Sequence, residues 1–179
     1  MRIFIVYILP LLVTFVACRP INQPDTDSAI GYDSVYVIAD IQWHQQYYPL
    51  LDRQVFSIDL LNKGLEFDST NHIVGTGVNL YFSDIFLPLI DTVLKEGIYS
   101  MSSTPDAYTF LPYMYFEGNI TGCYMLNIQE GNIERIIGFT AGNFEIISME
   151  NNDIHMDISL YTADSTHYHA IYQGPALYQ

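Results

Sequence analysis

Two histidines, His167 and His169, stand one residue apart near the end of the chain. On a strand this spacing puts both imidazoles on one face, where a pair of nitrogens can ligate a metal. A metal site needs further donors. In the register expected below, His169 faces Tyr161, Asp157 faces Gln173 and His155 lies opposite Pro175, so no third ligand converges. The pair is read as two exposed side chains, and no metal or other cofactor is expected. No serine, histidine and aspartate sit at a spacing that predicts a triad, and no glycine-rich phosphate loop opens a helix. With 20 acidic residues, paired carboxylates are unavoidable and carry no information. The chain reads as non-catalytic.

Aromatic stretches are more informative. Trp43-His44-Gln45-Gln46-Tyr47-Tyr48 mixes flat rings with amides, and Tyr108, Phe110, Tyr113, Tyr115 and Phe116 crowd a second segment. Amphipathic rings suit a wet recognition site, and sugar rings dock on aromatic faces. Trp43, Tyr47, Tyr48, Tyr113 and Tyr115 are therefore the candidate ligand-binding residues. Sheets also use tyrosine heavily to half-cover a core.

The elements that must position these groups are strands. From Ser34 onward Tyr, Ile, Val, Phe and Thr abound and turn clusters recur at short intervals. The spacing predicts strands over 35–43, 54–61, 73–87 and 94–101, with Gly75 and Gly77 marking a bulge or a start. A five-strand meander follows over 122–129, 133–140, 144–150, 154–163 and 168–178, with a turn at Ala141-Gly142-Asn143. Pro88 argues against a helix over 85–95. Ile154, Met156, Ile158 and Leu160 alternate with polar partners, so one face is core. A three-residue loop, Asp164 to Thr166, would pair Ala163 with His167 and Leu160 with Ala170, keeping the histidines outside. The expected fold is all-β: one antiparallel sandwich of nine or ten strands over residues 34–179, with a closed barrel as the alternative.

Ahead of the domain, Arg2 precedes an uncharged apolar run over 3–17 that is short for a bilayer span and matches a signal-peptide core. Cys18, just after Ala17, resembles the lipobox cysteine of bacterial lipoproteins. That resemblance implies cleavage after residue 17, a lipid on Cys18 and a tether over 18–33. Cys123 is then a small buried hydrophobe with no disulfide partner. Residues 18–179 carry every acid and five of the six basic residues, a net of −15 with histidine neutral. That charge repels nucleic acid and anionic membrane surfaces, so the membrane is a partner only through the lipid.

The segments "GTGVNLYFSDIF", "LKEGIYSM" and "GNITGCYMLNIQEGNIERI", with Gly118–Tyr124 as G-x-I-x-G-x-Y and Tyr172–Tyr178 as Y-x-G-x-x-x-Y, resemble small all-β lipoproteins common in gut Bacteroidetes. The resemblance implies a sandwich-like fold and an envelope location, outer membrane in either orientation, but no activity. Five triplets of Asp, then Ser or Thr, then an aliphatic residue or Thr resemble the O-glycosylation sequon of that phylum. They nominate Ser28, Ser34, Ser69, Thr92 and Ser165. Asn119-Ile120-Thr121 matches a eukaryotic N-glycan sequon that a bacterial lipoprotein leaves idle. The expected function is non-catalytic recognition of a glycan or an envelope protein. The alternatives are a fimbria-like structural subunit and a secreted hydrolase-like enzyme.

Overall fold

The structure is a computed structural model that describes residues 36–44 and 52–179. The expected leader, Cys18, the tether, Ser28, Ser34, Tyr47 and Tyr48 lie outside the described residues. Thirteen strands occur among the described residues, and no helix: β1 Tyr36–Trp43, β2 Arg53–Asn62, β3 Leu65–Phe67, β4 Ile73–Gly75, β5 Gly77–Pro88, β6 Gly97–Met101, β7 Thr109–Phe110, β8 Met114–Phe116, β9 Asn119–Thr121, β10 Cys123–Gln129, β11 Asn132–Glu150, β12 Asp153–Thr162 and β13 His167–Tyr178. The all-β expectation holds, and Pro88 ends a strand rather than interrupting a helix.

One large sheet runs in the order β10-β11-β12-β13-β1-β2-β5-β7-β6. β10 also pairs with β5, and β11 also pairs with β6. The ladder that starts at β10 therefore returns to it through β5, and one main core lies within this sandwich-like all-β fold. Two smaller ribbons, β3–β4 and β8–β9, stand apart from it. The sheet is mixed, not purely antiparallel: β1 runs parallel to β13, and β6 runs parallel to β7. Neither pair is joined by a tight hairpin, so no loop forces an antiparallel arrangement on it.

Strict alternation fills the core. Ile154, Met156, Ile158 and Leu160 point inward from β12, and Tyr168, Ala170 and Tyr172 do so from β13. Each such large apolar side chain contributes about 1.5–3 kcal/mol on burial. Phe82, Phe110, Phe144 and Tyr99 interlock, with Tyr99 and Phe144 stacked at 4.7 Å. Cys123 is a free thiol with no exposed surface, and burial pushes its pKa well up.

Two local expectations are corrected. Ala141-Gly142-Asn143 is not a turn but a regularly paired part of the 19-residue β11, just past a bulge between Phe139 and Ala141, so the meander has four strands. Gly142 takes φ 134°, and a Cβ there would lie 2.3 Å from the Ser159 carbonyl oxygen. Glycine is present for this close approach to β12. The loop between β12 and β13 is also placed differently. Ser165 N–H donates to the Thr162 carbonyl and Thr162 N–H to the Thr166 carbonyl, so the loop residues are Ala163, Asp164 and Ser165. Ser165 takes the left-handed position at φ 67°, and Asp164 Oδ1 accepts from Thr166 N–H. Pairing shifts by two residues, so His169 faces Ser159 and His167 faces Tyr161. A two-residue shift preserves both faces, so the histidines stay outside as expected.

Candidate functional site

A polar dipeptide inside an apolar strand builds the site. β5 reads Leu-Tyr-Phe-Ser-Asp-Ile-Phe-Leu over 80–87, and Ser83 and Asp84 are both buried. Phe82 pairs with Ile58 and Ile85 with Phe56, so Ser83 and Asp84 together stand opposite Ser57 alone. This bulge sets Asp84 at φ 54°, a region aspartate visits more readily than most residues. It also marks a change of neighbour. β5 pairs with β10 up to Phe82 and with β7 from Ile85 onward.

The β8–β9 hairpin leaves the sheet at that split. Its turn, Glu117-Gly118, has two successive left-handed residues, the twist that a two-residue hairpin needs. Its base is tied to the bulge. Thr121 Oγ1 donates to Asp84 Oδ2 at 2.7 Å, and Ser83 Oγ donates to the same oxygen at 2.8 Å. Gly122 N–H donates to Ser83 Oγ at 2.6 Å. Gly122 itself sits so close to Pro112 that a Cβ would meet its carbonyl oxygen at 1.9 Å.

Between hairpin and sheet lies a groove of about 530 Å³. The sheet contributes Val55, Tyr81, Ser83, Asp84 and Tyr124, the hairpin Asn119, Ile120 and Thr121, and His44 joins them from just past the end of β1. No lysine or arginine is among the described lining residues. The Tyr81 and Tyr124 rings are 5.2 Å apart and tilted by 50°, and Tyr113 meets Tyr124 edge-on. Burial raises both phenols above their ordinary pKa, so both are neutral hydroxyls at ordinary pH. His44 Nε2 lies 2.8 Å from Ser57 Oγ. Ser57 is only 1% exposed, which makes it a support for His44 rather than a nucleophile open to a ligand. The arrangement can hold a ligand by ring contact and hydrogen bonds.

A buried carboxyl flanks the lining. Asp59 stands across from Asp40 on β1 and from Tyr81 on β5. Burial pushes its pKa up to about 7; the Asn79 amide, which donates to Oδ1 at 2.8 Å, opposes this, and the Asp40 charge adds to it. Asp40 is held by the side-chain amides of Gln42 and Gln179.

The candidate aromatics fall in different places. Trp43 is exposed and donates through Nε1 to Gln54 Oε1. It is not among the lining residues although His44 is, as expected for neighbours that alternate across a strand. Tyr113 is half-buried, its ring packed where Gly138 leaves room. Tyr115 (65% exposed) and Phe116 (71%) are presented to solvent on the hairpin. His167 stacks on Tyr161 at 4.6 Å and contacts Ser159 Oγ, while His169 Nε2 meets Asp157 Oδ1 at 2.8 Å. Among the described residues no group of three or more metal-ligating side chains can hold an ion. Ser69, Thr92 and Ser165 are all exposed. Asp68 Oδ1 accepts from Thr70 and His72 N–H, and Asp164 caps its own turn. Turn geometry thus accounts for the aspartates of those two triplets. Compared with known proteins, the chain matches no family model, no curated protein and no solved structure.

Sequence reasoning missed Tyr81, Ser83, Asp84 and Tyr124 as lining residues and treated 119–121 only as an idle sequon. A usable signal was present. Ser-Asp within an otherwise apolar strand is a buried polar pair, and such pairs call for a reason.

Proposed function

We propose that this chain is a cell-envelope lipoprotein, moored through a lipid on Cys18, whose β domain recognises a glycan or an envelope protein without acting on it chemically. The groove between the β8–β9 hairpin and the sheet carries the reading. It combines two tilted phenols, hydroxyls and a fixed carboxylate in a volume within the range of about 300–1,000 Å³ usual for small-ligand sites. Tyr115 and Phe116 add exposed rings beside it, and their removal from a partner's surface would be favourable. The anchor rests on the leader and Cys18, in keeping with the resemblance to Bacteroidetes lipoproteins. The full chain in a zwitterionic detergent, screened on a glycan array and against separated envelope proteins, tests recognition. Binding that weakens in Tyr115→Ala/Phe116→Ala supports it; no binding to either class refutes it.

A second reading, a structural subunit that pairs edge to edge with its own kind, is favoured by the exposed two-stranded β8–β9 ribbon. Oligomers that survive dilution and dissociate when Tyr115 becomes proline would support that reading over the first.

A further inference from the structure

The first half of β11 leaves one edge of the ladder open. Residues 132–138 pair with β10 on one side, and among the described residues β12 joins the other side only from Phe139 onward. Along the open edge Asn132, Ile133, Glu134, Arg135 and Ile136 are all exposed, Ile133 at 56% and Ile136 at 37%. Unpaired N–H and C=O groups on such an edge are a template for another strand. Between this edge and the β12–β13 turn an open cleft of about 360 Å³ leaves space for the end of an arriving strand.

The order of side chains selects the partner. Ile133 stands opposite Ile128 and Ile136 opposite Leu126, and those two β10 residues are two apart, so they share a face. Ile133 and Ile136 therefore share that face too, although they are three apart, because Glu134 is the extra residue of a bulge. An antiparallel copy turned about a two-fold axis between Glu134 and Arg135 sets Ile133 against the partner's Ile136 and Glu134 against the partner's Arg135, each twice. Apolar meets apolar and acid meets base, the combinations that stabilise cross-strand pairs. Neither Glu134 nor Arg135 makes an ion pair with another described residue. A bulge and charges on an edge ordinarily deter an arriving strand. Here they deter strands of any other order, while a second copy brings the matching bulge and the reversed charges.

We infer that two copies of this chain pair antiparallel through the open edge of β11, with Glu134 opposite the partner's Arg135. The contact is isologous and closes at two copies. No groove-lining residue lies on this edge, so the inference stands apart from what the groove binds.

The test is sedimentation equilibrium of the full chain in a neutrally buoyant detergent, from micromolar to near-millimolar concentration. A monomer–dimer equilibrium with no larger species is expected. Glu134→Arg and Arg135→Glu each place like charges across the two-fold axis and should weaken the dimer at least about tenfold. The double variant Glu134→Arg/Arg135→Glu exchanges the charges and should return to within about threefold of the wild type. Both positions are exposed, so folding is not at stake. Hydrogen exchange should slow at the amides of 132–137 as the dimer forms. A chain that stays monomeric throughout overturns the inference, as do single variants that dimerise like the wild type or a double variant as weak as the singles. Protection that falls on 114–121 instead moves the contact to the β8–β9 ribbon and overturns this edge.

Discussion

Replacing Asp59 by asparagine should change how stability depends on pH. The carboxyl is more than nine-tenths buried, beside the Asp40 charge, with one amide donor from Asn79. Its pKa moves from 3.8 in an unfolded chain to about 7 in the fold, chiefly because burial disfavours the charged form. Below about pH 4 both states hold the proton and the group is silent. Between about pH 4 and 7 the unfolded chain has lost the proton and the folded chain keeps it, so unfolding becomes easier as pH rises, by about 1.4 kcal/mol per unit. Above about 7 the effect is complete. From pH 4.5 to 7.5 the wild type should therefore lose about 3 kcal/mol through this group. Asparagine preserves shape and an acceptor for Asn79 but cannot ionise. Asp68 and Asp164, whose pKa values are lowered by hydrogen bonds within their turns, act below this window. Urea unfolding followed by far-UV circular dichroism at pH 4.5, 5.5, 6.5 and 7.5 gives both curves. The variant should match the wild type at pH 4.5 and exceed it by about 3 kcal/mol at pH 7.5. Identical pH slopes in the two proteins would refute the reasoning, as would a wild type that gains on the variant as pH rises.

Tyr99→Phe should cost about 1–3 kcal/mol in the same unfolding assay, because Tyr99 Oη accepts from Lys95 N–H and donates to Lys95 C=O, both at 2.9 Å. An unchanged midpoint would mean that water replaces this link without loss. Gly142→Ala should cost at least about 2 kcal/mol, since its φ is unsuited to a side chain and the new Cβ meets β12 backbone; a neutral result would contradict this close approach. Cys123 should resist a maleimide in the folded protein and react once urea unfolds it, because its thiol is fully buried and its thiolate disfavoured. Rapid labelling without denaturant would be incompatible with its place in the core. Cys18→Ser should move the protein from the membrane pellet to the soluble fraction and remove the lipid mass from the N-terminal peptide.

The sequence by itself determined the element type and the sides of the strands. Period-two alternation on β12 and β13 places Ile158 inside and His169 outside whichever even register is adopted, because side chains repeat every two residues. For the same reason alternation could not decide between registers two residues apart; the hydrogen bonds of Thr162, Asp164 and Ser165 did. Gly142 looked like a turn because glycine in a short window is the same signal whether it reverses the chain or admits a neighbouring backbone. The meeting of β10 with β5, and the split at Ser83-Asp84 that opens the groove, belong to tertiary structure alone. Thr121 reaches Asp84 across 37 positions of chain, and such pairing depends on how distant strands share an edge. Local pattern carries the face a side chain takes, while the neighbour it meets there is set by the closure of the whole ladder.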